Sequence, residues 1–283
     1  MSPDSIDIAC GEAAELISQA DGLLITAGAG LGIDSGLPDF RGDNGFWNAY
    51  PALGRRGLAF TTIANPKAFA TCPELAWGFY GHRLQLYRNT VPHEGLYRLL
   101  HLSTQMPNGA RVFTSNVDGQ FQKAGFQSEH VTECHGSIHH LQCIGNCEQA
   151  VWPADDFQPV VDAETCILQS PLPTCPSCGS LARPNILMFG DWSFHDRRYL
   201  VKESRLQAWL ARSTRPVVIE VGAGTSIPTV RQFGEDIGCP LIRINPTEWH
   251  VGLKRDIGIP VGALDALLWI TDKQSGFEDA SRR

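Results

Sequence analysis

No run of apolar residues in this chain approaches the roughly 20 needed to cross a bilayer, so no membrane-spanning helix and no membrane partner are expected. Basic charge is not in excess either. Lys and Arg number 23 against 30 Asp and Glu, a formal net charge of −7, which removes any general electrostatic pull toward nucleic acid or an anionic membrane. The first residues, MSPDSIDIAC, hold acids and no basic stretch, so no secretory leader is expected and a cytoplasmic chain is the default. Internal repeats and low-complexity segments are missing too. The cysteines number 9, and an odd count excludes complete intramolecular disulfide pairing. In a reducing compartment, clustered cysteines are metal ligands or catalytic groups rather than bridges. What is present is ordinary for a folded protein: 283 residues, 43% hydrophobic and 19% charged. That length suits one large domain, or one with a small companion.

Apolar stretches break repeatedly into glycine or polar residues. LLITA (23–27) runs into Gly28-Ala29-Gly30, ARVFT into Ser115-Asn116-Val117-Asp118, and EHVTEC into His135-Gly136. Further on, PVVIEV runs into Gly222-Ala223-Gly224-Thr225-Ser226, and PLIRI into Asn245. Helical spacing separates these runs, as in Gly11 to Asp21 with apolar residues at 13, 16, 17 and 20. The pattern predicts an α/β fold, a parallel sheet with helices on both faces. In such sheets ligands bind where the carboxyl ends of the strands open into loops. The rhythm stops between His139 and about Gly190, a Pro- and Cys-rich stretch read as an inserted small module. A second insertion, about Phe46 to Tyr87, is expected to start as a loop and end in a helix. Thr71-Cys72-Pro73-Glu74 fits a capping box at that helix's start.

The strict dinucleotide fingerprint G-x-G-x-x-G, counted from Gly28, meets Ile33 where its last glycine belongs, so an ordinary hydride-transfer dehydrogenase is poorly supported. A glycine turn after a strand still lets backbone N–H groups approach a pyrophosphate, and a second such turn at 222–226 strengthens the nucleotide reading. Cys143 and Cys147, then Cys175 and Cys178, supply four thiolates in two close pairs. Four thiolates fill the tetrahedral shell of Zn²⁺ and leave no open position, which marks a structural site. Cys10, Cys72, Cys134, Cys166 and Cys239 read as buried inert thiols. His135, at a strand end before glycine, is placed as a general base with a pKa near neutrality. His139 and His140 read as solvated or capping. Asn116 and Asp118 either serve the site or cap the following helix.

In order along the chain stand GAGLGIDSGLPDFRG (28–42), GFW (45–47), SNVDG (115–119), HGS (135–137), the paired cysteines, FGD (189–191), GAGTS (222–226) and IN (244–245). Together they resemble the sirtuin family of NAD-dependent protein deacylases, over nearly the whole chain from about Leu23 to Leu268. The resemblance implies a Rossmann-like NAD-binding domain over 1–45, 88–138 and 191–283. It also implies a cofactor-binding loop and helical insertion over 46–87, and a zinc-binding module over 139–190. NAD would be consumed as co-substrate. Its contacts would come from Gly28, Ala29, Gly30, Gly32, Asp39, Phe40, Arg41, Ser115 and Val117, with Asn116, Asp118 and Asp39 lining the nicotinamide pocket. Gly224, Thr225, Ser226 and Asn245 would hold the adenosine half and the phosphates. His135 would take a proton from the ribose hydroxyls, with Asn116 as its catalytic companion, and the products would be nicotinamide, free lysine and O-acyl-ADP-ribose. The acyl-lysine peptide would pair with Met188, Phe189 and Gly190. One structural Zn²⁺ per chain would sit on Cys143, Cys147, Cys175 and Cys178.

The chain departs from the family pattern in having Gly32 for serine, Ser115 for glutamine and Asp191 for glutamate, and in lacking G-x-C-D near its C-terminus. Tyr80 and Arg83 are three residues apart on a helix and share a face, where a phenol and a guanidinium can hold a carboxylate. This pattern is similar to that of sirtuins preferring succinyl, malonyl or glutaryl lysine, so such deacylation stands beside deacetylation. Two other readings use the same pocket: an ADP-ribosyltransferase or NAD hydrolase, and a non-catalytic sensor of NAD or ADP-ribose.

Overall fold

The computed structural model describes residues 2–38, 42–145 and 147–281, with the side chains of 42–44 and 275–281 left aside. The expected contacts Asp39, Phe40 and Arg41 lie outside the described residues. In chain order the elements begin with α1 (Pro3–Ser18), β1 (Gly22–Ala27), α2 (Gly42–Ala49), α3 (Pro51–Arg55), α4 (Phe60–Ile63), α5 (Pro66–Thr71), α6 (Pro73–Asn89) and α7 (Glu94–Gln105). There follow β2 (Ala110–Thr114), α8 (Gln120–Lys123), β3 (Val131–Glu133), β4 (Gly136–Cys143), and the short β5 (Trp152–Pro153), β6 (Val161–Asp162) and β7 (Ile167–Leu168). The chain ends with β8 (Ala182–Ile186), α9 (Arg197–Leu210), β9 (Pro216–Val221), α10 (Thr229–Asp236), β10 (Leu241–Ile244), β11 (Ile257–Ile259) and α11 (Ala263–Ser281). Among the described residues no helix is long and apolar enough to cross a membrane.

The main sheet has 6 strands in the order β11-β10-β9-β1-β2-β3, all parallel. The chain leaves β1 toward β2 and leaves β9 toward β10, so the order reverses between these two neighbours. That is the switch point at which loops diverge and open a crevice. Both faces are covered. Leu23, Ile25 and Ala27 point into a core shared with α1, α7 and α11, while Leu24, Phe113 and Val218 meet α9 and α10. Every residue of β1 is buried, as the unbroken apolar run requires. The first helix begins earlier than its apolar spacing predicts. Pro3 occupies its first turn and Ser2 caps it, accepting the Ser5 N–H at 3.2 Å. It also stops earlier, because Asp21 is taken by the Thr214 N–H and hydroxyl at 2.8 and 2.6 Å.

The second lobe has one core. Phe46, Phe69, Trp77 and Tyr80 from the 46–87 insertion pack with Ile138, Leu141, Leu168 and Ile186 from the cysteine-bearing module. The insertion is helical from α2 onward, with no long initial loop. The capping box is not formed. Thr71 is the last residue of α5 and donates its hydroxyl back to the Lys67 carbonyl at 3.0 Å, while Cys72 sits at the cap of α6 without a side-chain bond. In the module β4 pairs antiparallel with β5 and β8.

Candidate active site

The two glycine turns meet at the switch point. The Gly28 N–H donates to the Val221 carbonyl and the Gly30 N–H to the Gly222 carbonyl, each at 3.0 Å. A Cβ on Gly30 would stand 2.7 Å from Gly222 Cα. Gly222 has φ +63°, and a side chain there would strike the Leu31 amide. The turns therefore lie backbone against backbone, an arrangement that only glycine allows. After Gly28 the chain enters a short 3-10 turn, Ala29–Ser35.

The loop after β2 is tied to the first turn. Thr114 donates its hydroxyl to the Ala27 carbonyl at 2.9 Å and accepts the Asn116 N–H at 3.0 Å; the Ser115 N–H reaches Ala27 at 3.2 Å. Asn116 then donates its side-chain amide to the Gly28 carbonyl at 3.0 Å. That bond joins two strand ends rather than capping a helix. Asp118 does cap, accepting the Gln120 N–H at the start of α8 at 2.9 Å. Burial, with the Glu133 charge adding to it, pushes the Asp118 carboxyl up to about 6, against the Gln120 bond and the Arg83 charge.

His135 follows β3 and is half-buried, and that burial holds its imidazole below the usual histidine range. A neutral imidazole is the form that accepts a proton. Its carbonyl accepts the Leu187 N–H at 2.9 Å. Two residues on, the Phe189 N–H donates to the Ala64 carbonyl at 2.9 Å, and the Phe189 ring lies edge-on to Phe60 at 5.6 Å. Met188 to Gly190 thus bridges from His135 to the second lobe. His139 and His140 are not solvated as expected. Both are half-buried on β4, His139 in contact with the Asp118 carbonyl at 2.9 Å, and His140 driven down to about 3 by burial and the nearby Arg198 and Lys202 charges.

Tyr80 and Arg83 do share the inner face of α6, but both are buried, at 1% and 7% exposure. The guanidinium lies 5.8 Å from the Tyr80 ring centre and 5.3 Å from the Phe79 and Tyr87 rings, and it donates twice to the Tyr87 hydroxyl, at 3.0 and 2.6 Å. Burial pushes the Tyr80 phenol up to about 12, so it stays protonated and able to donate.

On the other side of the crevice Thr225 and Ser226 are exposed, whereas Asn245 is fully buried. The Asn245 amide donates to the Ala223 carbonyl at 3.0 Å, and its oxygen accepts the Thr247 and Glu248 N–H groups at 3.0 and 2.9 Å. Glu248, overlooked in the sequence, stands on the exposed turn: it accepts the Thr225 N–H at 3.1 Å and the Thr225 hydroxyl at 2.5 Å.

Four cysteine sulfurs converge as expected. Those of Cys143 and Cys178, and of Cys147 and Cys175, are 3.6 Å apart, and all four lie within 4.8 Å of one another. Tetrahedral Zn–S bonds of about 2.3 Å place sulfurs roughly 3.8 Å apart, so the residues fit the ion. Of the other thiols, Cys10, Cys134 and Cys166 are buried; Cys239 is half-buried and Cys72 is exposed.

The sequence model of the Sir2 family matches residues 28–208. The chain belongs to the Sir2 family. A Thermococcus kodakarensis protein named NAD-dependent protein deacylase is 32% identical over 238 residues, covering 83% of this chain and 84% of its own. A Danio rerio protein named NAD-dependent protein deacylase sirtuin-5, mitochondrial, is 31% identical over 62% of this chain and 59% of its own. The crystal structure of a Sir2 homologue with NAD superposes with a TM-score of 0.67 at 25% identity over 93% of each chain. A Sir2 homologue with ADP-ribose gives 0.69 at 24%, over 99% and 98%. Two of the departures of this Sir2 chain have local causes. A Cβ on Gly32 would lie 2.9 Å from the Leu37 side chain, so glycine here goes with the inward packing of Leu37. Asp191 is buried against Arg183, which donates to its two oxygens at 3.0 and 2.7 Å. Nothing in the structure explains Ser115.

Proposed function

We propose that this chain is an NAD-dependent protein lysine deacylase acting on acylated proteins of the cytoplasm, with His135 as its general base. NAD supplies a sugar–base bond whose cleavage leaves an electrophilic carbon for the acyl oxygen. The chain's own groups do the rest. The facing glycine turns offer backbone to the pyrophosphate, and Thr225, Ser226 and Glu248 present polar groups to the adenosine half. Asn116 and Asp118 would line the nicotinamide pocket, Asn116 also holding its loop to Gly28. Met188 to Gly190 offers backbone to the peptide by strand addition. What supports this reading is the bond between the His135 carbonyl and the Leu187 N–H, which ties the backbone of the proposed base to the start of the segment proposed for the peptide.

For the acyl group, a guanidinium beside a protonated phenol suits an acidic acyl chain such as succinyl, malonyl or glutaryl, through charge-assisted hydrogen bonds. In this reading residues 1–45, 88–138 and 191–283 are the NAD-binding domain, 46–87 the cofactor-binding loop and helical insertion, and 139–190 the zinc-binding module. The test is His135→Ala. Deacylation of an acyl peptide is expected to fall by at least about a hundredfold, while calorimetry still detects NAD binding. Full turnover by the variant would remove His135 from this role.

A further inference from the structure

Trp192 is 98% exposed. A fully solvated tryptophan gives up the burial that normally stabilises so large an apolar ring, and here the exposure is built in. The residue before it, Asp191, is anchored by Arg183 and accepts the Met188 N–H at 3.4 Å. The residue after it, Ser193, donates its N–H to Asp191 at 3.0 Å, and its carbonyl accepts the Gln142 amide at 2.8 Å. Gln142 in turn is held by the Asn185 amide at 2.9 Å and the His195 N–H at 3.2 Å. The indole therefore projects from a clamped turn two residues beyond Met188 to Gly190, and two apolar side chains just before it in the chain, Leu187 and Phe189, are themselves 40% and 36% exposed.

We infer that Trp192 is a specificity-determining residue that covers a bulky apolar side chain flanking the acyl-lysine. This rests on the reading of Met188 to Gly190 as the peptide-binding segment. Magnitudes favour an apolar flank over a basic one. Covering about 60 Å² of apolar surface is worth roughly tenfold in affinity, whereas a cation over an exposed ring is worth roughly two- to fivefold.

The experiment uses the full chain and fluorescein-labelled acetyl- and succinyl-lysine peptides, identical except for Gly, Leu, Arg or Glu beside the modified lysine. Anisotropy is expected to show the Leu peptide binding roughly tenfold tighter than the Gly peptide. Trp192→Ala should bring that ratio close to one, and Trp192→Phe should keep most of it. A ratio unchanged in Trp192→Ala, no Leu preference in the native chain, or no peptide binding at all would each overturn the inference. Nicotinamide release and peptide deacylation are followed in parallel. If the binding contrast holds without turnover, the deacylase reading falls and the Trp192 assignment stands.

Discussion

Asp118→Asn separates the folding role of this residue from its chemical one. Burial raises the carboxyl from its ordinary 3.8 to about 6, so the folded chain holds this proton more tightly than the unfolded chain does. The resulting stabilisation is complete below 3.8 and is lost as pH rises through about 6. Above that, the ionised group costs about 3 kcal/mol, from some two pKa units at 1.36 kcal/mol each. Asparagine has no charge to bury, and its side-chain oxygen can still accept the Gln120 N–H that Asp118 accepts at 2.9 Å. The variant is therefore expected to be more stable than the native chain at pH 8 by about 3 kcal/mol, and by roughly half that at pH 5, where the native carboxyl is mostly protonated. Thermal unfolding at the two pH values, zinc-loaded, measures this; the gain at pH 8 should be roughly 5 °C. Turnover should fall in the same variant, a more stable protein with an impaired site. A gain that does not grow between pH 5 and pH 8, or a loss at pH 8, would refute the argument from burial.

Arg83→Met should lower desuccinylation by roughly 10- to 100-fold, the worth of a charged hydrogen-bond pair, and deacetylation by only a few-fold; equal losses on the two peptides would remove the carboxylate clamp. Asp191→Asn leaves Arg183 buried beside a neutral group and should cost about 3 kcal/mol, visible as a lower melting temperature; an unchanged one would show that the pair is not needed. Chelating zinc should unfold the β4–β8 module, with activity and tryptophan fluorescence lost together; activity lost from a natively folded chain would give the metal another role.

The strands of the main sheet were legible because buried parallel strands leave unbroken apolar runs that stop at glycine or polar residues. β11 escaped, since Ile257–Ile259 is too short and too glycine-broken to make such a run. The cysteine cluster was legible from spacing alone, because short loops bring close pairs together. Single-residue signals misled where another contact took the side chain. Thr71 looks like a cap but closes the preceding helix instead. Asn245, expected at the adenosine half, also holds the turn that presents Glu248, a second role that its place at a strand end does not announce. The burial of His139 and His140 comes from α9 and the loop after β2, neither of which leaves a mark in the sequence around them. The Asp191 departure becomes intelligible only beside Arg183, eight residues earlier on β8.

The most direct test is the product balance of one reaction, with NAD and an acyl-lysine peptide incubated with the native chain and all products weighed by mass spectrometry. The expected result is nicotinamide, free-lysine peptide and O-acyl-ADP-ribose in equal amounts. Nicotinamide released with the peptide still acylated, or ADP-ribose recovered on water or protein, would contradict the account.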